Sequence, residues 1–159
     1  MLTNNYLAHI TYLFCSRNVG NHASKDVNGN YLGAFMYLYN RKAVIGTGTT
    51  APKKTDYKLE SEIEESKYKA AISSIDTINF DNEGASQTIS ITVTNLDAEP
   101  LHVSEIGVEG WYNSVSQRLL WAREVFDTPI TISPGGVQAF SLKLFYPLCF
   151  REGGAVYAY

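Results

Sequence analysis

Gln87-Thr-Ile-Ser-Ile-Thr-Val-Thr94 is the stretch that decides the fold class. Its apolar residues, Ile89, Ile91 and Val93, alternate with serine and threonine. Successive side chains of a β-strand point to opposite faces, so a period of two predicts a strand with one buried and one solvated face. Such a strand is typical of an antiparallel sheet, because the strands of parallel α/β sheets are buried on both faces.

Further strands, separated by turn signals, are predicted on both sides of this stretch. Asn95–Pro100 breaks the pattern, and Pro134-Gly135 suits the central positions of a type II turn. The chain is predicted to be β from Tyr68 onward, and the other predicted strands are Tyr31–Tyr39, Lys42–Gly46 (after a break at Asn40-Arg41), Leu101–Val108, Arg118–Val125 and Val137–Tyr146. Short strands with turns between them predict a mainly β fold, an antiparallel β-sandwich of jelly-roll-like type.

The two ends of the chain differ from the β-rich middle. Apolar residues between Leu2 and Phe14 recur at helical spacing, which predicts a short amphipathic N-terminal helix. We therefore divide the chain into a helix and turn-rich arm (1–24), a β-sandwich domain (25–146) and a C-terminal tail (147–159). The charged segment 53–67 is compatible with either a helical turn or an extended loop.

Composition narrows the function classes. A net charge of -3 argues against nucleic acid as a direct partner, since phosphate binding needs clustered Lys and Arg. No run of about 20 apolar residues predicts a membrane span, and no basic, apolar leader predicts a secretory signal. Cys15 and Cys149 lie at opposite ends of the chain, and two free thiols in a reducing compartment are favoured over a bridge.

One glycine-rich segment has the residue types of a cofactor-binding motif. Gly46-Thr-Gly-Thr-Thr-Ala51 follows the apolar Ala43-Val-Ile45 and fits the G-x-G-x-x-A form of the dinucleotide fingerprint. That fingerprint requires a helix to begin at once, so that its N-terminus meets the pyrophosphate. Pro52 disfavours helical backbone at the residue before it, and no apolar helix face follows. The segment predicts a structural turn, and we expect no cofactor.

Metal and catalytic patterns are also weak. Glutamates at 60, 62, 64 and 65 form a cluster that suits a divalent cation in charge, but a solvated charged face is favoured. His9, His22 and His102 have no zinc-type spacing, and no G-x-S-x-G elbow marks a nucleophile. The sequence therefore predicts no metal site, no catalytic residue and no enzymatic activity.

Several short motifs together carry a resemblance. In chain order they are Lys25-Asp-Val-Asn-Gly-Asn30, Ile45-Gly-Thr-Gly-Thr-Thr-Ala-Pro52, Asp56-Tyr-Lys-Leu-Glu60, Glu105-Ile-Gly-Val108, Leu119-Leu-Trp-Ala-Arg-Glu-Val125 and Pro129-Ile-Thr-Ile-Ser-Pro-Gly135. Their order and spacing resemble those of small structural proteins of tailed bacteriophages and prophages. The resemblance covers residues 25–146. It departs from the usual pattern at Val108, where leucine is common, and in the tail after Pro147.

The resemblance implies a virion structural protein without catalytic residues. The positions that it allows are a capsid decoration or auxiliary subunit, a head fibre, or a head-to-tail or tail component. The implied partners are major capsid, portal or connector, or tail subunits and further copies of the chain, with assembly in the host bacterial cytoplasm. The alternative is a carbohydrate- or receptor-binding module at a tail tip, in which exposed tryptophan and tyrosine would stack on sugars.

Particular residues are candidates for these roles. Glu105 lies between apolar neighbours and is predicted to form a buried ion pair with Arg123, and Gly46 and Gly48 are predicted to allow unusual φ or close backbone approach. Aromatic and apolar residues of the two termini and the two tryptophans are the candidate contacts with partners. These are Tyr6, Ile10, Phe14, Trp111, Trp121, Phe150, Tyr157 and Tyr159.

Overall fold

The structure is a computed structural model that describes Met1 and residues 28–29, 38–77, 79–80, 84–112, 118–147, 149–150 and 156–157. Its elements, in chain order, are β1 (Leu38–Gly46), a 3-10 turn (Glu65–Lys67), β2 (Tyr68–Ile75), β3 (Asn79–Phe80), β4 (Gly84–Asn95), β5 (Leu101–Tyr112), β6 (Arg118–Ile132), β7 (Val137–Pro147), β8 (Cys149–Phe150) and β9 (Val156–Tyr157). The predicted mainly β, antiparallel architecture is confirmed.

The strands form two larger sheets and one small ribbon. Sheet I has the order β1-β5-β6, with both pairings antiparallel. In sheet II, β4 is central, with β2 and the short β3 along one side and β7 along the other. The ribbon pairs β8 with β9, so Phe150 and Tyr157 of the predicted tail lie in paired backbone.

One hydrophobic cluster joins the inner faces of sheets I and II. Ile89, Ile91 and Val93 of β4 are buried in it, as the alternation of that strand predicts. The partners from sheet I include Ile45, Ile106 and Val108, and β7 adds Phe140, Leu142 and Leu144. Truncating one such large aliphatic side chain to alanine costs about 2–5 kcal/mol, so this cluster is the main source of stability for the pair of sheets.

Two of the connections that cross between the sheets, β4–β5 and β6–β7, are tied together at Asn95. This residue is 1% exposed, and its amide Nδ2 donates to the carbonyl of Ile132 at 2.9 Å. Its backbone accepts from Gly135 N at 3.1 Å, where Gly135 has φ 68°. Gly136 N donates to Ser133 O at 2.8 Å, which closes the turn, and the positive φ at Gly135 is what a type II turn requires.

The sequence-based boundaries need corrections in β1, β5 and β6, and the last two of these strands continue past their predicted ends at Val108 and Val125. The predicted break at Asn40-Arg41 is wrong, because β1 runs through it with only a shift of register between Tyr39 and Arg41. Segment 53–67, which the sequence left open between a helical turn and an extended loop, is a loop with a hydrogen-bonded turn at Lys53–Asp56 and a 3-10 turn at Glu65–Lys67. The predicted helix at Leu2–Phe14 lies outside the described residues. Among the residues described, no helix combines the length and apolar character that a bilayer crossing needs.

Candidate functional site

The segment 47–64, here called the strap, lies over the outer face of sheet I. Thr47 N donates to Ser61 O at 2.8 Å, and Ile63 N donates to Ile45 O at 2.9 Å, so the two ends of the strap are fastened to each other and to β1. Leu59, which is 2% exposed, packs with Val44 and Leu120 of the sheet. The strap therefore gives this face a small apolar core of its own.

The carboxylate of Glu105 in β5 binds backbone amides of the strap. Its side chain is fully buried, and both carboxylate oxygens accept hydrogen bonds. Oε1 accepts from Gly48 N at 3.0 Å and from Ser61 N at 2.8 Å. Oε2 accepts from Glu60 N at 3.1 Å and from the Arg123 guanidinium at 2.7 Å. A buried carboxylate is tolerated only when its lone pairs are satisfied in this way.

Arg123 of β6 completes the arrangement from the other side. It is 3% exposed, and its Nε is the group that contacts Glu105. Its other nitrogens reach Asp56 at 2.8 Å and Glu60 at 3.3 Å, both in the strap. The structure thus brings together the two residues predicted as a buried ion pair, and it adds two strap carboxylates that the sequence reading did not include.

The glycines beside this carboxylate act through close approach. The described glycines with positive φ are Gly29 and Gly135, so Gly46 and Gly48 use ordinary backbone angles. A Cβ on Gly48 would lie 2.6 Å from Glu105 Oε1, and one on Gly46 would overlap the same oxygen. Real Cβ atoms do not approach this closely, so both positions are glycine because the carboxylate passes against the backbone.

The match to a dinucleotide fingerprint is explained by the same contacts. No helix follows Ala51 in the strap. The amide of Gly48 donates to Glu105, and the amide of Thr50 donates to Glu60 Oε2 at 2.8 Å. Backbone amides that would face a phosphate in a nucleotide-binding loop are therefore occupied by carboxylates of the protein itself.

A second cluster of charges lies further along β5, around Glu109. This side chain is also fully buried, and its Oε2 accepts from Arg118 Nε at 2.6 Å. Arg118 also contacts Glu62 at 2.8 Å, and Lys42 pairs with Glu65. The other oxygen, Glu109 Oε1, is buried without a hydrogen-bond partner. Burial raises the pKa of Glu109, and the hydrogen bond from Arg118 offsets part of that rise.

Two open pockets flank the strap. One, of about 370 Å³, lies between the strap and β6 and is lined by Tyr57, Lys58, Leu59 and Arg123 among others. The other, of about 360 Å³, lies against Pro52, Val125, Phe126 and Pro129. The guanidinium of Arg123 is already engaged by three carboxylates, so it offers no free charge to an anionic ligand.

The predicted contact residues fall into three groups. Trp121 is 8% exposed and packs over Gly110, where a Cβ would touch its ring, so little of this side chain is accessible to a partner. Trp111 is the penultimate residue of β5 and pairs with Arg118 of β6, and Phe150 and Tyr157 lie in β8 and β9. The remaining four lie outside the described residues: Tyr6, Ile10, Phe14 and Tyr159.

Metal binding finds no geometric support in the part of the chain that is described. No three His, Cys, Asp or Glu side chains there are placed to hold an ion. Glu60 instead pairs with Arg123, and Glu62 and Glu65 pair with Arg118. His102 is exposed and pairs through Nδ1 with the hydroxyl of Thr131 at 3.0 Å.

The outer face of sheet II, here called the open face, contrasts with the strapped face. Its side chains are exposed on β2, β3 and β7 and half-buried on β4. They are Lys69, Ala71, Ser74, Asn79, Ser86, Thr88, Ser90, Thr92, Thr94, Val137, Ala139, Ser141, Lys143 and Phe145. Among the described side chains of this face, the two lysines are charged and none is acidic.

Comparisons with known proteins give no match. No protein-family model matches the chain, and no curated protein and no solved structure is detectably similar to it.

Proposed function

We propose that the chain is a bacteriophage virion structural protein that acts by packing against other subunits. The observation that carries the proposal is the convergence of the resembling motifs on one buried cluster. Gly48, Asp56 and Glu60 come from two of the motifs, Glu105 from a third and Arg123 from a fourth, and all meet within hydrogen-bonding distance. The pattern therefore describes a structural unit, the fastened strap.

A motif set of this kind suits a building block. Its polar groups satisfy one another, and Glu105 and Arg123 are buried under the strap. An enzyme needs polar groups that are free to meet a substrate. A virion subunit instead needs a body that keeps its shape while its surface packs against neighbours. The satisfied cluster supports the second role.

The finer architecture is part of the proposal. Two antiparallel sheets that share one core, with connections crossing between them, support a β-sandwich of jelly-roll-like type. The N-terminal segment 1–24 and the tail 147–159 are proposed as contact elements, with capsid, portal or tail subunits and further copies of the chain as partners. The proposed location is the virion, after assembly in the host cytoplasm.

The direct test is to look for the chain in particles. Phage particles are purified by density gradient from lysates of the cell that encodes the chain, and their proteins are quantified by mass spectrometry. We expect the chain at a fixed, stoichiometric ratio to the major capsid protein in intact particles. Recovery only in the soluble fraction, with no more than trace amounts in particles, would contradict the proposed role.

A further inference from the structure

We propose that the open face of sheet II is a self-association surface, and that its occupant is the open face of a second copy of this chain. The chemistry of the face is the first argument. Surfaces of soluble proteins commonly carry about a quarter or more charged residues of both signs, which oppose association. Here the central rows carry only serine, threonine and alanine, as in the row formed by Ala71, Thr92 and Ala139.

The contrast with the other side of the molecule is the second argument. The strap covers the outer face of sheet I. Leu59 of the strap and the carboxylates of Glu105 and Glu109 in β5 are buried there. On the open face, by comparison, the large side chains Val137 and Phe145 are 63% and 41% exposed. They lie at opposite ends of β7, so an antiparallel second copy would bring one end against the other.

The size of the face sets the expected strength. Residues 86–94 of β4 span roughly 30 Å, and three strands span roughly 14 Å, so each copy offers about 400 Å² of flat surface. Two copies together would bury about 800–1,000 Å², which lies at the weak end of specific interfaces. The pair is therefore expected to dissociate on dilution and to be strengthened where many copies are held together.

The charge of the face limits which partners fit. The charged residues among those described on this face, Lys69 and Lys143, lie towards opposite ends of the face and on different strands, which leaves the central contact neutral. A strongly acidic or basic partner would meet no complementary pattern in that centre. Rows of small, uncharged side chains form a flat surface, and another flat, uncharged surface is the partner that fits it best. Every copy of the chain carries such a surface.

The experiment is light scattering over a concentration series, on wild type and on variants that introduce a charged residue either on the open face or elsewhere on the surface. We expect wild type to shift from monomer to dimer as concentration rises, and Thr92→Arg to weaken dimerisation by on the order of tenfold or more. Thr128→Arg, in an exposed part of β6, is the matched control and should behave as wild type. Ser141→Glu on the exposed edge of the face provides a second variant if Thr92→Arg does not fold, as judged by circular dichroism.

The outcomes separate this inference from the proposed function, on which it rests because association with further copies belongs to that role. A wild-type monomer at all concentrations, or dimerisation unchanged in both Thr92→Arg and Ser141→Glu, would overturn the self-association surface. If the chain is nevertheless stoichiometric in particles, the virion role stands alone. If both face variants weaken the dimer but the chain is absent from particles, the self-association surface is supported and the virion role is contradicted.

Discussion

Glu105 and Glu109 are two buried glutamates on the same face of β5, and they have different surroundings. Both are fully buried, and each has one arginine partner from β6. Glu105 accepts hydrogen bonds from three backbone amides of the strap in addition to the one from its arginine. At Glu109 one oxygen accepts from Arg118, and the other is buried without a partner.

The difference shows that burial of an ion pair alone does not make it stabilising. Removing a carboxylate from water costs several kcal/mol, and the cost is recovered only when the remaining lone pairs are satisfied. Glu105 meets that condition because the strap turns its amides inward. Glu109 does not, and burial accordingly raises the pKa of its carboxyl. Glu105 should therefore be the anchor of this face, and Glu109 its weak point.

The largest expected effect is that of Glu105→Gln. The amide keeps the shape of the side chain but places an NH₂ group against N–H donors and leaves Arg123 without its buried counter-charge. We expect a loss of about 3–5 kcal/mol in the free energy of unfolding, measured by urea denaturation. Glu99→Gln, at an exposed position, is the matched control and should change stability by less than about 0.5 kcal/mol. A loss below 1 kcal/mol for Glu105→Gln would remove Glu105 as the anchor.

Gly48→Ala tests the same contact from the side of the strap. The added methyl group would lie 2.6 Å from Glu105 Oε1 and 2.6 Å from Glu60 Cβ, so the strap must move. We expect a loss of about 1–3 kcal/mol by urea denaturation, smaller than for Glu105→Gln because part of the strain can relax. Thr49→Ala, next to it but exposed, should have little effect. Equal stability of the two variants would show that the close approach is not required.

The sequence predicted the strands and one ion pair well, for a physical reason. Alternation reports directly which side of a strand is buried, and it placed Ile91 in the core. Glu105 stood out because it interrupts an apolar run, and Arg123 is one of the two arginines in the next strand. Both residues lie in β-strands, where the position of a residue along the strand determines which face of the sheet its side chain is on.

The strap partners could not be predicted in the same way. Asp56 and Glu60 lie in a segment without a period, so nothing in the sequence indicates which way their side chains point. Glu109 was missed although it lies four residues after Glu105 with Gly107 between them, a spacing that places all three on one strand face. That i, i+2, i+4 pattern is the signal in the sequence that indicates a shared face.

The smallest expected effect is that of Glu109→Gln. At pH 7 we expect stability within about 1 kcal/mol of wild type, because losing the pairing with Arg118 is offset by removing a poorly solvated charge. The raised pKa gives the sign of the pH dependence: the folded wild type binds a proton more readily than the unfolded chain. As pH falls from 7 towards 4, urea denaturation should show wild type gaining stability relative to Glu109→Gln. The opposite trend would contradict a raised pKa.

The measurement that tests the account most directly is hydrogen exchange of the strap amides by NMR. Gly48 and Ser61 donate to Glu105 in the folded protein, so their amides should be protected in wild type. In Glu105→Gln we expect both to exchange on the order of tenfold faster or more, while Ile91 in the core of sheet II stays protected. In Glu109→Gln the same strap amides should exchange as in wild type. Unprotected strap amides in wild type, or equal exchange in wild type and Glu105→Gln, would contradict the claim that Glu105 fastens the strap.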